Sequence, residues 1–312
     1  MAQIVALGEI LVEMMATEPD QGFRRPGHFA GPYPSGAPAI FIDQAARMGA
    51  STALIGCVGA DDFGQCVLDR LTQDGVDVSC VRAVADVATG VAFVCYRADG
   101  GRDFIFHMGN SAAGRLAVAD IAPAAFADCR ILHIMGSSLF SPDMGAVMRR
   151  AVALAEAAGA RISFDPNVRP ELLRQPGTAD LIGELAARAH ILLPSEADLA
   201  FLAPGLSPGA AAERLLQGPA ECVFLKRGAA GSSYFDRTQT LHVPAFAVGE
   251  IDPTGAGDCA GATFVAGLLA GRPPADAARR ANAAGALAVT RRGPMEGNST
   301  PAEIDAMLAG GR

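Results

Sequence analysis

An acid set among glycines is the strongest chemical feature of this chain. Residues 251–258 read Ile-Asp-Pro-Thr-Gly-Ala-Gly-Asp, and a run of small apolar residues follows. Pro253 marks a boundary, because proline neither continues a regular strand nor sits inside a helix. Residues 258–269 lack proline and are rich in Ala, Leu and Val, which predicts a buried helix beginning near Gly257. A helix start exposes unpaired N–H groups at the positive end of its dipole. Glycines there let an anion come close to the backbone. Gly255, Ala256 and Gly257 are therefore a candidate cradle for an oxyanion or a phosphate. Asp258 beside that cradle has two readings. As a helix N-cap it needs no further chemistry. As a general base it takes a proton from an attacking hydroxyl while the cradle holds a transferring phosphoryl group.

Other stretches offer chemistry at lower density. Asp165-Pro166-Asn167-Val168-Arg169 closes a predicted strand; Asp-Pro-Asn is good turn chemistry, but a turn does not require Arg169. Lys226 is the sole lysine of the chain and opens Lys-Arg-Gly-Ala-Ala-Gly-Ser. That glycine turn reads as a phosphate- or ribose-lining loop or as a hairpin into the next strand. A G-x-x-x-x-G-K-[ST] phosphate loop is absent, and Gly255, Gly257 and Gly261 make only a near miss to the dinucleotide fingerprint. Cys259, next to Asp258, has no base in view and reads as a small helix residue.

The elements that must position these groups follow from periodicity. Residues 4–7 and 10–12 are short apolar strands, and residues 40–48 a helix stopped by Gly49. The stretch from 17 to 39 is rich in Gly and Pro, too polar for core and too long for a simple turn. Residues 91–96 and 103–107 flank Ala98-Asp99-Gly100-Gly101, a hairpin signal. From residue 130 onward the pattern is strand, helix of 12–16 residues, strand, which is the signature of a parallel sheet. Ligands of such sheets bind beyond the C-terminal ends of the strands, where Asp165–Arg169 falls.

Composition bounds the rest. The chain has 312 residues, half of them hydrophobic, so it can build a full core. A net charge of −8 argues against a nucleic-acid surface. No apolar run reaches 18 residues, which argues against a membrane span. The opening MAQIVALGEILVEM has no basic n-region and reads as a first strand, not a signal peptide. Seven scattered cysteines without C-x-x-C suit reduced thiols, and a cytoplasmic protein is the expectation.

The segment D-P-T-G-A-G-D followed by a small-residue helix resembles the C-terminal signature of the PfkB (ribokinase-like) carbohydrate kinases. Gly56 to Gly64 resembles that family's N-terminal G-x-x-G-x-D-x-x-G signature, to which a structural role falls. F-D-P-N-x-R at 164–169 resembles the fructokinases and 2-keto-3-deoxygluconate kinases, with tagatose kinases in the same group. The resemblance spans nearly the whole chain. It implies a three-layer α/β fold with a mainly parallel central sheet, in one domain over 1–312, and a small β-sheet lid from segments near 13–35 and 88–110. It implies that Asp258 is the catalytic base and that Gly255, Ala256 and Gly257 form the anion hole. The family's sugar-side acid falls on Glu13, and G-G-x-x-x-N falls on Ser35 to Ile40, placing Gly36 at the sugar site and an isoleucine where the asparagine is expected. Arg169 faces the sugar or the phosphates, and His107 is a candidate partner for a sugar hydroxyl. Met108 and His107 stand where ketodeoxygluconate kinases carry Tyr-Arg, which shifts weight toward a neutral ketose. Lys226, Gly228, Gly231, Ser195 and Asn282 fall on nucleotide-side positions. Ser195 and Asp198 replace the N-x-x-E that organises magnesium, largely through water; an N-cap explains the same pair. Asp252 and Thr254 fall where ribokinases hold a monovalent cation, so potassium is allowed.

The expected function is ATP-dependent phosphorylation of a primary hydroxyl on a ketohexose such as fructose or tagatose, or on 2-keto-3-deoxygluconate. The expected partners are ATP, Mg²⁺ and a small sugar, with a homodimer through the lid and neither nucleic acid nor membrane. A catalytically silent sugar or nucleotide sensor on the same fold is the rival from another class; a dehydrogenase is a third.

Overall fold

The computed structural model describes residues 2–310. In chain order the elements begin with β1 (Ile4–Leu7), β2 (Leu11–Ala16), β3 (Phe29–Ser35), α1 (Ala37–Arg47), β4 (Thr52–Gly59), α2 (Asp62–Gln73), β5 (Val76–Asp77) and β6 (Val81–Val84). Then come β7 (Gly90–Tyr96), β8 (Arg102–His107), β9 (Ile131–Met135), α3 (Pro142–Ala157), β10 (Arg161–Asp165), α4 (Thr178–Arg188) and β11 (Ile191–Leu192). The last third holds α5 (Glu196–Leu202), α6 (Pro208–Leu215), β12 (Cys222–Lys226), β13 (Ser232–Phe235), β14 (Thr240–Val243), α7 (Ala256–Leu269), α8 (Pro274–Ala288) and α9 (Pro301–Gly310).

The central sheet runs β14-β13-β12-β11-β10-β9-β1-β4-β5, with β6 pairing the end of β4. It is parallel from β12 across to β5, and β13 and β14 close one edge antiparallel. Both faces are covered, as parallel sheets require. The alternation within β1 shows how: Ile4 and Ala6 join the core with α1, α7 and α8, while Val5 and Leu7 join the core with α3 and α4. Small residues let α7 approach its neighbours closely: Gly261 lies against Leu193 and Phe41, and Gly267 against Ala277. No helix among the described residues is long and apolar enough to cross a membrane.

A separate sheet runs β3-β2-β7-β8, parallel between β2 and β7 and antiparallel elsewhere. Its strands fall on the two segments expected to form a lid. The Gly/Pro-rich stretch ends in β3, which tolerates Pro32 and Pro34 because it is an edge strand. Strand parity divides the sheet. Leu11, Glu13, Ala92, Val94, Tyr96, Arg102, Phe104 and Phe106 share one face; Phe93, Cys95, Ile105 and His107 share the other.

The helix α1 begins three residues before the expected start. Gly36 at φ 109 caps it and Pro38 stands in its first turn, so Ala37–Ala39 are already helical. The capping of α2 is as the sequence suggests, with Asp61 accepting from the Gly64 N–H at 2.8 Å.

Candidate active site

Five neighbouring parallel strands end on one side of the sheet, and each delivers a polar group there. Glu9 follows β1, Ser137 follows β9, Asp165 ends β10, Ser195 follows β11 and Lys226 ends β12. The chain leaves β1 toward β4 on one side and returns to β9 on the other, so this is the point where strand order reverses. The start of α7 points into the same place. Two cavities meet there. One, about 550 Å³, is lined from both sheets; the other, about 540 Å³, lies between β12, the 245–250 segment and α8. Lys226, Pro253 and Gly257 line both.

The shared wall is the start of α7. Gly255 is its N-cap at φ 79, and a Cβ there would stand 2.3 Å from the Pro294 carbonyl oxygen, so only glycine fits. The first N–H groups of α7 have no acceptor inside the helix. Asp258 is the third residue of α7, half-buried, and among the described residues it makes no hydrogen bond or ion pair. Capping is thus not its task; Gly255 holds that position. Burial and the nearby charge of Asp165 push the Asp258 carboxyl up to about 7, against the pull of Lys226 and Arg169. A carboxylate that titrates near 7 is well matched to general-base work.

Asp165 and Lys226 form a buried ion pair across β10 and β12. Burial pushes the Asp165 carboxyl up, and the lysine opposes it. For Lys226 burial alone would lower the ammonium's pKa, but Asp165 outweighs it, so the amine stays protonated. The Lys226 Nζ lies 3.6 Å from the point where a Gly257 Cβ would stand. A fixed cation therefore borders the anion cradle.

In the larger cavity Glu13 sits on β2. Its Oε1 accepts from the Ser35 hydroxyl at 2.7 Å, while Oε2 is buried without a partner. Burial lifts this carboxyl to about 7; Ser35, Arg102 and Arg169 pull it back and Asp252 adds to the rise. Glu9 is buried too and accepts from the hydroxyls of Ser137, at 2.8 Å, and Ser138. Gly36 allows close packing, since a Cβ there would lie 2.4 Å from the Glu9 carbonyl oxygen. Ile40 lines this cavity where the family pattern expects asparagine. Arg169 also lines it.

Two expectations need correction. His107 does not reach the cavity: parity puts it on the outer face of the small sheet, exposed and edge-on to Phe93 at 6.3 Å between ring centroids. Ser195 lines the larger cavity, not the nucleotide-side cleft. With Asp198 it forms a full capping box, Ser195 N–H donating to Asp198 Oδ2 at 2.8 Å and Asp198 N–H to Ser195 Oγ at 3.2 Å. Asp198 Oδ1 accepts from the Val168 N–H at 2.8 Å, so the acid also anchors the Asp165–Arg169 turn. Asn282, by contrast, lines the cleft between β12 and α8, and its Nδ2 donates to the carbonyls of Val243 at 2.9 Å and Pro244 at 3.0 Å.

The pair Asp252 and Thr254 ties the small sheet to the segment that leads into α7. Asp252 Oδ1 accepts from the Tyr96 hydroxyl and from the Thr254 N–H at 2.9 Å; its Oδ2 accepts from the Gly293 N–H at 2.9 Å. Thr254 Oγ1 lies 3.2 Å from the Tyr96 hydroxyl and accepts from Arg102 Nη1 at 3.2 Å. Three of the lone pairs a cation would use at Asp252 are thus already engaged by donors. Among the described residues no group of three His, Cys, Asp or Glu side chains could hold a metal.

The cleft on the other side is built mainly from backbone and apolar groups, with Lys226, Arg227, Glu250 and Asn282 also in its lining. Gly228 and Gly231 have φ of 53 and 85, and a Gly231 Cβ would meet the Val243 carbonyl oxygen at 2.1 Å. Phe224, Phe246, Val248, Ala260, Ala286 and Val289 supply the flat apolar walls an aromatic base requires. Ser232 is buried there with its hydroxyl unpartnered.

The groups absent from the sequence reading are Glu9, Tyr96, Arg102, Phe104 and Phe106. Glu9 follows a strand end, and the other four lie on one face of a hairpin whose alternation is visible in the sequence.

Residues 1–301 match the pfkB family carbohydrate kinase description. Fructokinase-1 of Oryza sativa subsp. japonica is 30% identical, over 97% of this chain and 96% of its own length. The 2-dehydro-3-deoxygluconokinase of Thermoproteus tenax is 31% identical, over 99% and 94%. A structure from E. coli described as a ribokinase II in complex with ATP and Mg²⁺ superposes with a TM-score of 0.95 at 44% identity, covering 99% of each chain. The chain belongs to the pfkB family of carbohydrate kinases.

Proposed function

We propose that this pfkB-family kinase transfers the γ-phosphoryl group of ATP to a primary hydroxyl of a ketose or a keto-sugar acid. The observation that carries the reading is Asp258 itself: half-buried, free of internal hydrogen bonds, raised to about 7, and set on the wall between two cavities. ATP occupies the cleft with its base between the apolar walls and its phosphates toward Lys226 and the glycine turn. The acceptor occupies the larger cavity under the small sheet, which serves as a lid.

The acceptor hydroxyl donates its proton to the Asp258 carboxylate as its oxygen bonds to the γ-phosphorus. The bond between that phosphorus and the β–γ bridging oxygen breaks, and ADP leaves with the electron pair. The amides of Gly255, Ala256 and Gly257 face the equatorial oxygens, where charge concentrates. Lys226, held by Asp165, adds a fixed positive charge at the same wall. Asp198 is the carboxylate that would hold a water of a phosphate-borne magnesium, which would supply charge neutralisation when bound.

Asp258→Asn keeps the shape and removes the base. It should lower kcat at least ~10²-fold, the scale of general-base loss, with little change in ATP affinity. Full turnover by this variant in a coupled ADP-release assay over ketoses and keto acids would rule the base out. Tight ATP binding with no turnover by the wild-type chain on any sugar would instead favour a silent sensor.

A further inference from the structure

The helix that carries Asp258 is smooth. From 256 to 262 α7 reads Ala-Gly-Asp-Cys-Ala-Gly-Ala, so its first two turns hold no side chain larger than Asp. Such a surface lets neighbours come close, as Gly261 does against Leu193 and Phe41. It offers few ridges to interlock, so packing alone resists rotation of the helix about its axis only weakly. The carboxylate of a helical Asp stands roughly 5 Å from the axis, and a rotation of about 20° carries it about 2 Å. A misplacement of about 1 Å can cost on the order of 10²-fold in rate. Two polar side chains of α7 supply what packing lacks.

Cys259 and Thr263 are four residues apart and so share one face of α7. Both are buried, and each is hydrogen-bonded to another part of the chain. The Cys259 thiol donates to Asn298 Oδ1 at 2.8 Å, and Thr263 Oγ1 accepts from Gln44 Nε2 at 3.1 Å. The partners are themselves fixed. Asn298 Nδ2 donates to Asp43 Oδ2. Gln44 Nε2 also donates to the Ser299 carbonyl at 3.1 Å, and its Oε1 accepts from the Ser299 N–H at 2.8 Å. Asp43, Gln44, Asn298 and Ser299 are all buried, so α1, α7 and the 298–299 stretch meet in one polar cluster. The residues just before it brace the start of α7 as well: the Gly293 N–H donates to Asp252, and the Pro294 carbonyl crowds Gly255. Arg70, 3.7 Å from Asp43, donates to the Met295 carbonyl at 2.7 Å.

Amides and a carboxyl taken out of water are a poor means to stability, since apolar residues of the same shape carry no desolvation cost. Hydrogen bonds are directional, and two of them one turn apart on the same face fix both the rotation and the slide of a helix. We propose that Asn298 and Gln44 are positioning residues, which through Cys259 and Thr263 set the rotation of α7 and so aim the Asp258 carboxylate at the acceptor hydroxyl. Neither lines either cavity, so they act only through the helix. The proposal rests on the sugar-kinase reading, in which Asp258 is the base.

Cys259→Ala combined with Thr263→Val removes both bonds from the α7 side and keeps most of the shape. In coupled ADP release its kcat should fall on the order of 10²-fold, with KM for ATP and for the acceptor within about twofold of wild type. Cys259→Ser keeps a donor and should stay within about threefold of wild type. The same two substitutions added to Asp258→Asn should lower the residual turnover by less than about threefold, because groups that act as a unit do not lose their effect twice. Losses that multiply in that background overturn the proposal, as does an unchanged kcat in the folded double variant. So does a Cys259→Ser variant as slow as the double one. Crystal structures of wild type and double variant read the geometry without turnover. The Asp258 carboxylate should move by about 1 Å or more relative to Lys226, and coincidence within about 0.5 Å sinks the idea. If the wild type phosphorylates no sugar, the kinase reading fails and this displacement alone decides the positioning. If the double variant does not fold, Thr263→Val carries both measurements, with a fall in kcat of about 10-fold expected.

Discussion

The two cavities share one wall and are made in opposite ways. The cleft proposed for the nucleotide is mainly backbone and hydrocarbon, with Gly228, Gly231 and Gly257 in its lining and Lys226, Arg227, Glu250 and Asn282 as its longer polar side chains. The acceptor side is side chains, with Glu9, Glu13, Asp165, Asp198 and Asp258 set against Arg102 and Arg169. A triphosphate is the same in every kinase and can be met by fixed amides. An acceptor differs from enzyme to enzyme and must be met by groups that substitution can exchange. The first kind of site is concentrated in a few glycine-bearing turns; the second is gathered from strands far apart in the chain.

The contrast is broken most severely at the shared wall. Gly255→Ala introduces a Cβ at 2.3 Å from the Pro294 carbonyl oxygen and at φ 79, so the cradle must shift. Losing one donor of an anion hole costs about 10²- to 10³-fold in kcat. That loss is expected with acceptor KM nearly unchanged, as measured by steady-state kinetics with circular dichroism to verify folding. A rise confined to KM would mean that the backbone side does not stabilise the transferring group.

Lys226→Met probes the one charge that touches both cavities. Turnover should fall about 10²-fold, since a fixed cation at a developing charge contributes on that scale. Removing one partner of a buried pair also costs stability, about 3 kcal/mol, because Asp165 is left alone. Adding Asp165→Asn should restore the urea midpoint and leave activity low. Recovery of both together would reduce Lys226 to a structural role.

The difference in construction also decides what the sequence discloses. The wall is legible because its residues are adjacent: proline, two glycines and an acid at 253–258 announce a boundary, a cradle and a base together. The parallel sheet is legible from its periods, and β12 and α7 fall close to where the pattern puts them. The acceptor side is less so. His107 draws notice by its type, yet in a strand parity decides which side chains face inward, and the Arg102–Phe104–Phe106 series takes the inner face. Ser195 and Asp198 fit a ligand pattern and a capping box equally well on paper; the hydrogen bonds to each other and to Val168 are tertiary facts. Glu9 has no motif at all and acquires its place only when β1 lies beside β9.

A smaller effect separates function from stability at the wall. The Asp258 carboxyl moves from 3.8 to about 7 on folding. Between these values the folded chain keeps a proton that the unfolded chain has lost, so this group's contribution to stability falls as pH rises through that window. Asn carries no such dependence. Asp258→Asn should therefore match wild type in Tm near pH 4 and exceed it by ~2 °C or more at pH 7 and above. Glu13 titrates in both proteins and cancels from the comparison. A gap that is constant across this range would mean the acid is not disfavoured by its surroundings.

The smallest effect is the one that tests the two-faced lid. If acceptor recognition belongs to the inner face of the small sheet, a residue on the outer face should not matter, whatever its chemistry. His107→Ala removes an imidazole that is exposed and touches Phe93 edge-on. Exposed substitutions of this kind usually change stability by less than about 0.5 kcal/mol. Acceptor KM and kcat should both stay within about twofold of wild type, since nothing between His107 and the cavity depends on the ring. A tenfold rise in KM for the acceptor, with ATP kinetics intact, would mean that β8 rotates or slips by one residue when the cavity is filled. A one-residue slip carries every side chain of a strand to the opposite face. Arg102 would then leave the cavity as His107 entered, so this quiet position monitors the register that sets the inner face of the small sheet.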